Sequence, residues 1–92
     1  MDRALWRRAD DLAFVESPDR VVLIVLRQLE RPPLILEGSA AAIWSVLDVR
    51  RTTDEVVDQV AHRQGVEGLD IHDDVASFLG VLKDEGLVMR DA

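Results

Sequence analysis

The chain has 92 residues, 48% of them hydrophobic and 32% charged, and carries a net charge of −7. That balance describes one compact globular domain, not a disordered chain. The absence of cysteine excludes a disulfide framework, a thiolate metal site and a cysteine nucleophile, and the negative charge disfavours a partner as anionic as nucleic acid. The N-terminus is basic, with Arg3, Arg7 and Arg8, but no long apolar run follows it, which argues against a secretory signal. The longest apolar run, residues 21–26, is far short of the roughly 20 residues that span a bilayer. The expectation is a cytoplasmic protein with no membrane partner.

Residues 1–10 show no clear period and read as a flexible arm, with Leu5 or Trp6 the side chains able to dock. The domain proper is expected over residues 11–92. Residues 11–16 place Leu12, Phe14 and Glu16 on one side of an extended chain and Val15 on the other, as in a strand. Ser17, Pro18, Asp19 and Arg20 form a turn. The β-branched run of residues 21–26 reads as a central strand buried on both faces. Pro32 and Pro33 have no amide proton to give a ladder, so they suit the start of an edge strand, which residues 34–37 continue. The spacing predicts an antiparallel three-stranded meander.

Three helices follow. Ser39 is placed to cap the first, whose face is Ala40, Ile43, Val46 and Leu47, with Trp44 semi-buried beside it. Thr52 or Thr53 caps the second, and Thr52-Thr53-Asp54-Glu55 has the spacing of a capping box. Its apolar face is Val56, Val57, Val60 and Ala61, and Gly65 ends it. Asp70 or His72 opens the third, whose continuous stripe is Ile71, Val75, Phe78, Leu79 and Leu82. Gly86 stops it, and Leu87, Val88 and Met89 return as a short extended tail. The fold class is therefore α+β: a three-stranded antiparallel sheet followed by three helices, with a winged helix-turn-helix character in the last two.

The third helix does not suit DNA. Over residues 72–85 four acids, Asp73, Asp74, Asp84 and Glu85, stand against Lys83 alone, whereas a recognition helix needs donors facing the bases. Catalysis has no better footing. His62 and His72 lie on different elements without metal-ligand spacing, and Ser39 and Ser77 have no base at a recognisable separation. Asp73 and Asp74 read as first-turn negative charge at a helix start. Arg7-Arg8 and Arg50-Arg51 read as solvated, with contact to an acidic partner surface as the alternative. No enzyme, metal or cofactor is expected.

Residues 36–48, LEGSAAAIWSVLD, resemble the LNETAAAIWELLDG stretch of the PqqD-like proteins. Residues 51–57, RTTDEVV, are similar to that family's RTVDEIV, and residues 73–88 to its final helix and Gly-Leu ending. Gly38 departs from the pattern, which often has Glu there, and Val49 stands where the family often has Gly. The resemblance covers residues 12–90 by pattern. It implies a RiPP recognition element, a non-catalytic winged helix-turn-helix module that binds the leader segment of a ribosomally made precursor peptide as an added strand. The free-standing form is most similar to the leader-binding protein of lasso-peptide biosynthesis, whose implied partners are a precursor leader peptide, a separate leader peptidase and, further on, a cyclase. The alternatives are a peptide chaperone for a radical-SAM enzyme, as in pyrroloquinoline quinone biosynthesis, and a winged-helix interaction domain with no peptide ligand.

An edge strand offers backbone amides and carbonyls that pair with a peptide whatever its sequence, while pockets beside it select side chains. The expected leader-binding residues are Pro33, Leu34, Ile35 and Leu36 on the strand, with Val75, Phe78, Leu79 and Leu82 as apolar lining from the third helix. Lys83 is expected to pair with an acidic leader residue. The same helical stripe equally suits an ordinary core.

Overall fold

A computed structural model describes residues 3–91. Strand β1 (Leu5–Arg8) pairs antiparallel with β5 (Val88–Asp91), so that Leu5 faces Asp91 and Arg8 faces Val88. This corrects the expectation of a flexible arm: Met1 and Asp2 lie outside the described residues, but residues 5–8 belong to the domain. Trp6 is the physical reason. Its side chain is buried, and its indole N–H donates to Thr53 Oγ1 at 2.9 Å. An indole removes roughly 150–250 Å² from water, a gain of at most about 4–6 kcal/mol at about 25 cal/mol per Å². Two backbone bonds between Trp6 and Arg51 hold the strand from its other side.

The second sheet is β2 (Leu12–Ser17), β3 (Arg20–Val25) and β4 (Leu34–Glu37), antiparallel and in that order, with β2 and β4 as its edges. Phe14 faces Leu23, and Leu23 in turn faces Leu34. Alternation decides which face is inside. Val21, Leu23 and Val25 are buried, while Val15, Ile24 and Ile35 point outward and are exposed. The central strand is therefore buried on one face, not two.

Helix α1 (Ser39–Ser45) continues through a 3₁₀ turn at Val46–Asp48. Its cap is Gly38, not Ser39. The chain must turn sharply from β4 into the helix, and Gly38 does so at φ 59°, ψ −130°, a conformation closed to residues with a Cβ. Ser39 Oγ instead accepts a 3.4 Å bond from Gln64. Helix α2 (Thr53–Gln64) has the expected capping box, with Thr52 Oγ1 accepting from the Glu55 amide and Glu55 accepting from the Thr52 amide at 2.8 Å. Gly65 closes it in the left-handed conformation at φ 65°. Helix α3 (Gly68–Asp84) starts ahead of both Asp70 and His72, with Glu67 as its cap residue.

The core lies between the sheet, the ribbon of β1 and β5, and the helices. Trp44 sits at its centre, fully buried where the sequence suggested partial exposure, and no acceptor among the described residues meets its indole N–H. Phe14 packs edge-on against it, with ring centroids 4.7 Å apart. No helix among the described residues is long and apolar enough to cross a membrane.

Candidate functional site

β4 is an edge strand. Its length is set by chemistry at both ends, by Pro32 and Pro33 before it and Gly38 after it. Leu34 and Leu36 point inward and are half-buried against the core, whereas Ile35 and Pro33 are exposed. The four apolar residues expected from α3 are not equivalent. Val75, Leu79 and Leu82 are fully buried and belong to the core, so they offer no surface to a ligand. Phe78 alone is half-buried and packs at the core's margin, as Leu34 and Leu36 do.

A rotation of 100° per residue separates the two flanks of α3. Asp74, Phe78, Val81 and Glu85 form one row; Ala76, Gly80 and Lys83 form another on the far side of the buried stripe. Glu85, at the end of the first row, is tied to the loop that leads into β4. Arg31, in the loop between β3 and β4, donates to the Glu85 carbonyl at 3.1 Å and pairs with its carboxylate. Arg31 also bonds Gln28 through its backbone amide, which fixes that loop. The open margin of the core thus runs between the β4 edge and the row of Phe78 and Val81, and the Arg31–Glu85 link closes one end. A pocket of about 400 Å³ lies at this end, bordered by Val25, Arg27, Gln28, Arg31, Glu85 and Gly86. Arg27 donates to Asp11 at 2.6 Å beside it, and this bond holds the Asp11 carboxyl below its ordinary range.

Lys83 is not part of this margin. It lies in the second row, beside Trp6 and Arg90 of the β1–β5 ribbon. The sequence placed Lys83 by its charge, but one residue past Leu82 is a 100° turn, and here the turn carries it to the opposite flank. Val81 was missed for a related reason. It lies off the core stripe and reads as an exposed apolar residue; its spacing of three from Phe78 was the available signal.

The whole margin lies within residues 24–88, the stretch that matches the model of the family described as coenzyme PQQ synthesis protein D (PqqD). The chain belongs to the PqqD family. No curated protein matches it in sequence. A solved structure described as TbiB1 in complex with the TbiA(beta) leader peptide shares its fold, with a TM-score of 0.75 at 24% identity over 89% of this chain and 93% of that one.

The remaining polar groups are arranged for stability. His72 Nε2 lies 3.4 Å from Asp54 and its Nδ1 3.3 Å from Asp73, linking the starts of α2 and α3. His62 is exposed on α2. Among the described residues no group of three or more His, Asp or Glu side chains is placed to hold a metal. Arg8, expected to be solvated, turns inward across the Trp44 ring at 3.8 Å and donates to the carbonyls of Trp44 and Ser45.

Proposed function

We propose that this PqqD-family chain is a non-catalytic module that binds the leader segment of a ribosomally made precursor peptide. The leader adds as a strand along Leu34, Ile35 and Leu36, and delivery to a separate leader peptidase in lasso-peptide biosynthesis follows. One observation carries the reading: an edge strand with half-buried Leu34 and Leu36 is entered through a loop whose Arg31 is tied to Glu85, at the end of the helical row of Phe78 and Val81. Backbone pairing supplies sequence-independent affinity, and apolar side chains of the leader complete the open core margin. A solved structure of similar fold contains a leader peptide, which supports a leader as the ligand of this chain.

The test is fluorescence polarisation with a labelled leader from the precursor encoded nearest to this chain. Val81 is 53% exposed, so Val81→Asp perturbs the row without opening the core, as a change at Leu82 would. The expected result is micromolar binding that Val81→Asp weakens about tenfold, close to 1.4 kcal/mol, with an unchanged circular dichroism spectrum. A folded protein that shows no binding at tens of micromolar refutes the proposal.

The family's description favours a second reading, a peptide chaperone for a radical-SAM enzyme. Pull-down with the tagged chain and its leader separates the two by which enzyme is retained.

A further inference from the structure

The turn between β2 and β3 fixes where the backbone groups of β4 point. Ser17 faces Arg20 across only Pro18 and Asp19. Those two are chain neighbours and cannot bond each other, so Ser17 and Arg20 are themselves a hydrogen-bonded pair. Bonded and non-bonded pairs alternate along an antiparallel ladder, so Arg20 and Val22 bond to β2, while Val21 and Leu23 bond to β4. Their partners on β4 are Leu36 and Leu34. Ile35 and Glu37 therefore aim both N–H and C=O at the open edge. Pro33, two residues before Ile35, has no N–H to add. Ile35 is thus the first residue of this edge able to bond a guest strand through both groups.

The side chains on the outer face of the sheet lie in the same rows. Val15, Val22 and Ile35 are in register across the three strands. Val15 is 70% and Ile35 57% exposed, with Val22 half-buried between them. One row closer to the turn the face becomes charged, where Arg20 and Glu37 pair at 3.8 Å. The apolar row therefore ends at Ile35, on the strand where the leader adds. A guest residue opposite Ile35 points to the same face as Ile35, whichever way the guest runs, and its two neighbours point inward beside Leu34 and Leu36. The guest itself supplies the next rung of the row.

We propose that Ile35 is a specificity-determining residue, which selects an apolar side chain at the outward position of the bound leader. This rests on the leader-binding proposal above and deepens it. A strand with one wet face ordinarily alternates apolar and polar residues. Here the two inward residues complete the core margin and the outward one pairs with Ile35, so the bound segment is a run of three apolar residues. Side chains directly opposite each other lie about 4.5–5.5 Å apart at Cβ, and β-branched and aromatic residues pair best there. Glu37, diagonal to the same guest residue, adds to the cost of an acid at that position.

The test is a glutamate scan of the labelled leader encoded nearest to this chain, read by fluorescence polarisation against the wild type, Ile35→Lys and Val15→Lys. Glutamate at the outward position is expected to weaken binding to the wild type about fivefold, and Ile35→Lys to restore about threefold of that loss. At the two flanking positions glutamate weakens binding and Ile35→Lys restores nothing, because those side chains enter the groove. Val15→Lys places the same charge two strands away, roughly 10 Å, and restores no single position. The natural leader residue at the restored position is expected to be apolar. Ile35→Thr keeps the β-branched shape and should bind the unaltered leader about threefold more weakly. The proposal is overturned if Ile35→Lys restores no position, if Val15→Lys restores the same one, if the natural residue there is polar, or if Ile35→Thr binds as the wild type does. Those four outcomes leave leader binding itself standing. A folded wild-type protein that binds no leader overturns the leader-binding proposal, and this one with it.

Discussion

Removal of the Arg8 guanidinium tests how the core tolerates a cation stacked on its central ring. Only 19% of the side chain is exposed. It crosses the Trp44 ring at 3.8 Å and the Phe14 ring at 5.3 Å, and it donates to the Trp44 carbonyl at 3.3 Å and the Ser45 carbonyl at 3.1 Å. Burial lowers its pKa from the ordinary guanidinium value, with Glu16 and Asp48 opposing that shift. Arg8→Met keeps the apolar stem and deletes the charge. The two carbonyls end α1, and without Arg8 each loses a charged donor. At these long distances each bond is worth about 1 kcal/mol, below the usual figure for a charged donor, and the ring contact adds about 1 kcal/mol. The expected loss is roughly 2–4 kcal/mol out of about 5–14 kcal/mol for a domain of this length. Urea unfolding followed by tryptophan fluorescence measures it, since Trp44 lies against the deleted group. Arg8→Lys should recover about half of the loss, because an ammonium cannot fork across two carbonyls. A loss under about 0.5 kcal/mol in Arg8→Met, the size of an ordinary surface change, would show that the stacked guanidinium is dispensable.

Arg31→Gln cuts the link between the β3–β4 loop and Glu85. Stability should fall by less than about 1 kcal/mol, as for a partly exposed pair, while leader affinity falls several-fold; equal affinity would mean that the link does not set the groove. Glu55 has a lowered pKa because it accepts the Thr52 amide and also bonds the Thr52 side chain. A carboxyl depressed in the folded state stabilises the protein above its unfolded pKa, and that stabilisation is lost as pH falls through the folded value. Glu55→Gln should therefore flatten the acid side of a stability-versus-pH curve below about pH 4.5, and a curve parallel to the wild type there would contradict it.

How far the sequence carries the fold depends on the range of each interaction. The meander of β2, β3 and β4 and the capping box at Thr52 follow from neighbouring residues, and both were legible. The ribbon was not, because Leu5 finds Asp91 only when the two ends of the domain are folded together. Gly38 was obscured by Ser39, a better cap by composition; the sharp turn out of β4 demands a backbone that only glycine adopts readily. At the candidate site, periodicity revealed the buried stripe of α3 but not which flank meets β4. That is decided by Arg31 and Glu85, 54 residues apart, and it separates Val81 from Lys83.

The brevity of β4 has a kinetic consequence. Four residues between two prolines and a glycine can offer a guest only a few backbone bonds. A micromolar complex formed at about 10⁵–10⁷ M⁻¹s⁻¹ falls apart within roughly 0.1–10 s. Such a lifetime is what the proposed delivery of a leader to another protein would require. A longer ladder would hold the peptide more tightly and delay the hand-over, and it would leave a longer bare edge for other chains to join when empty.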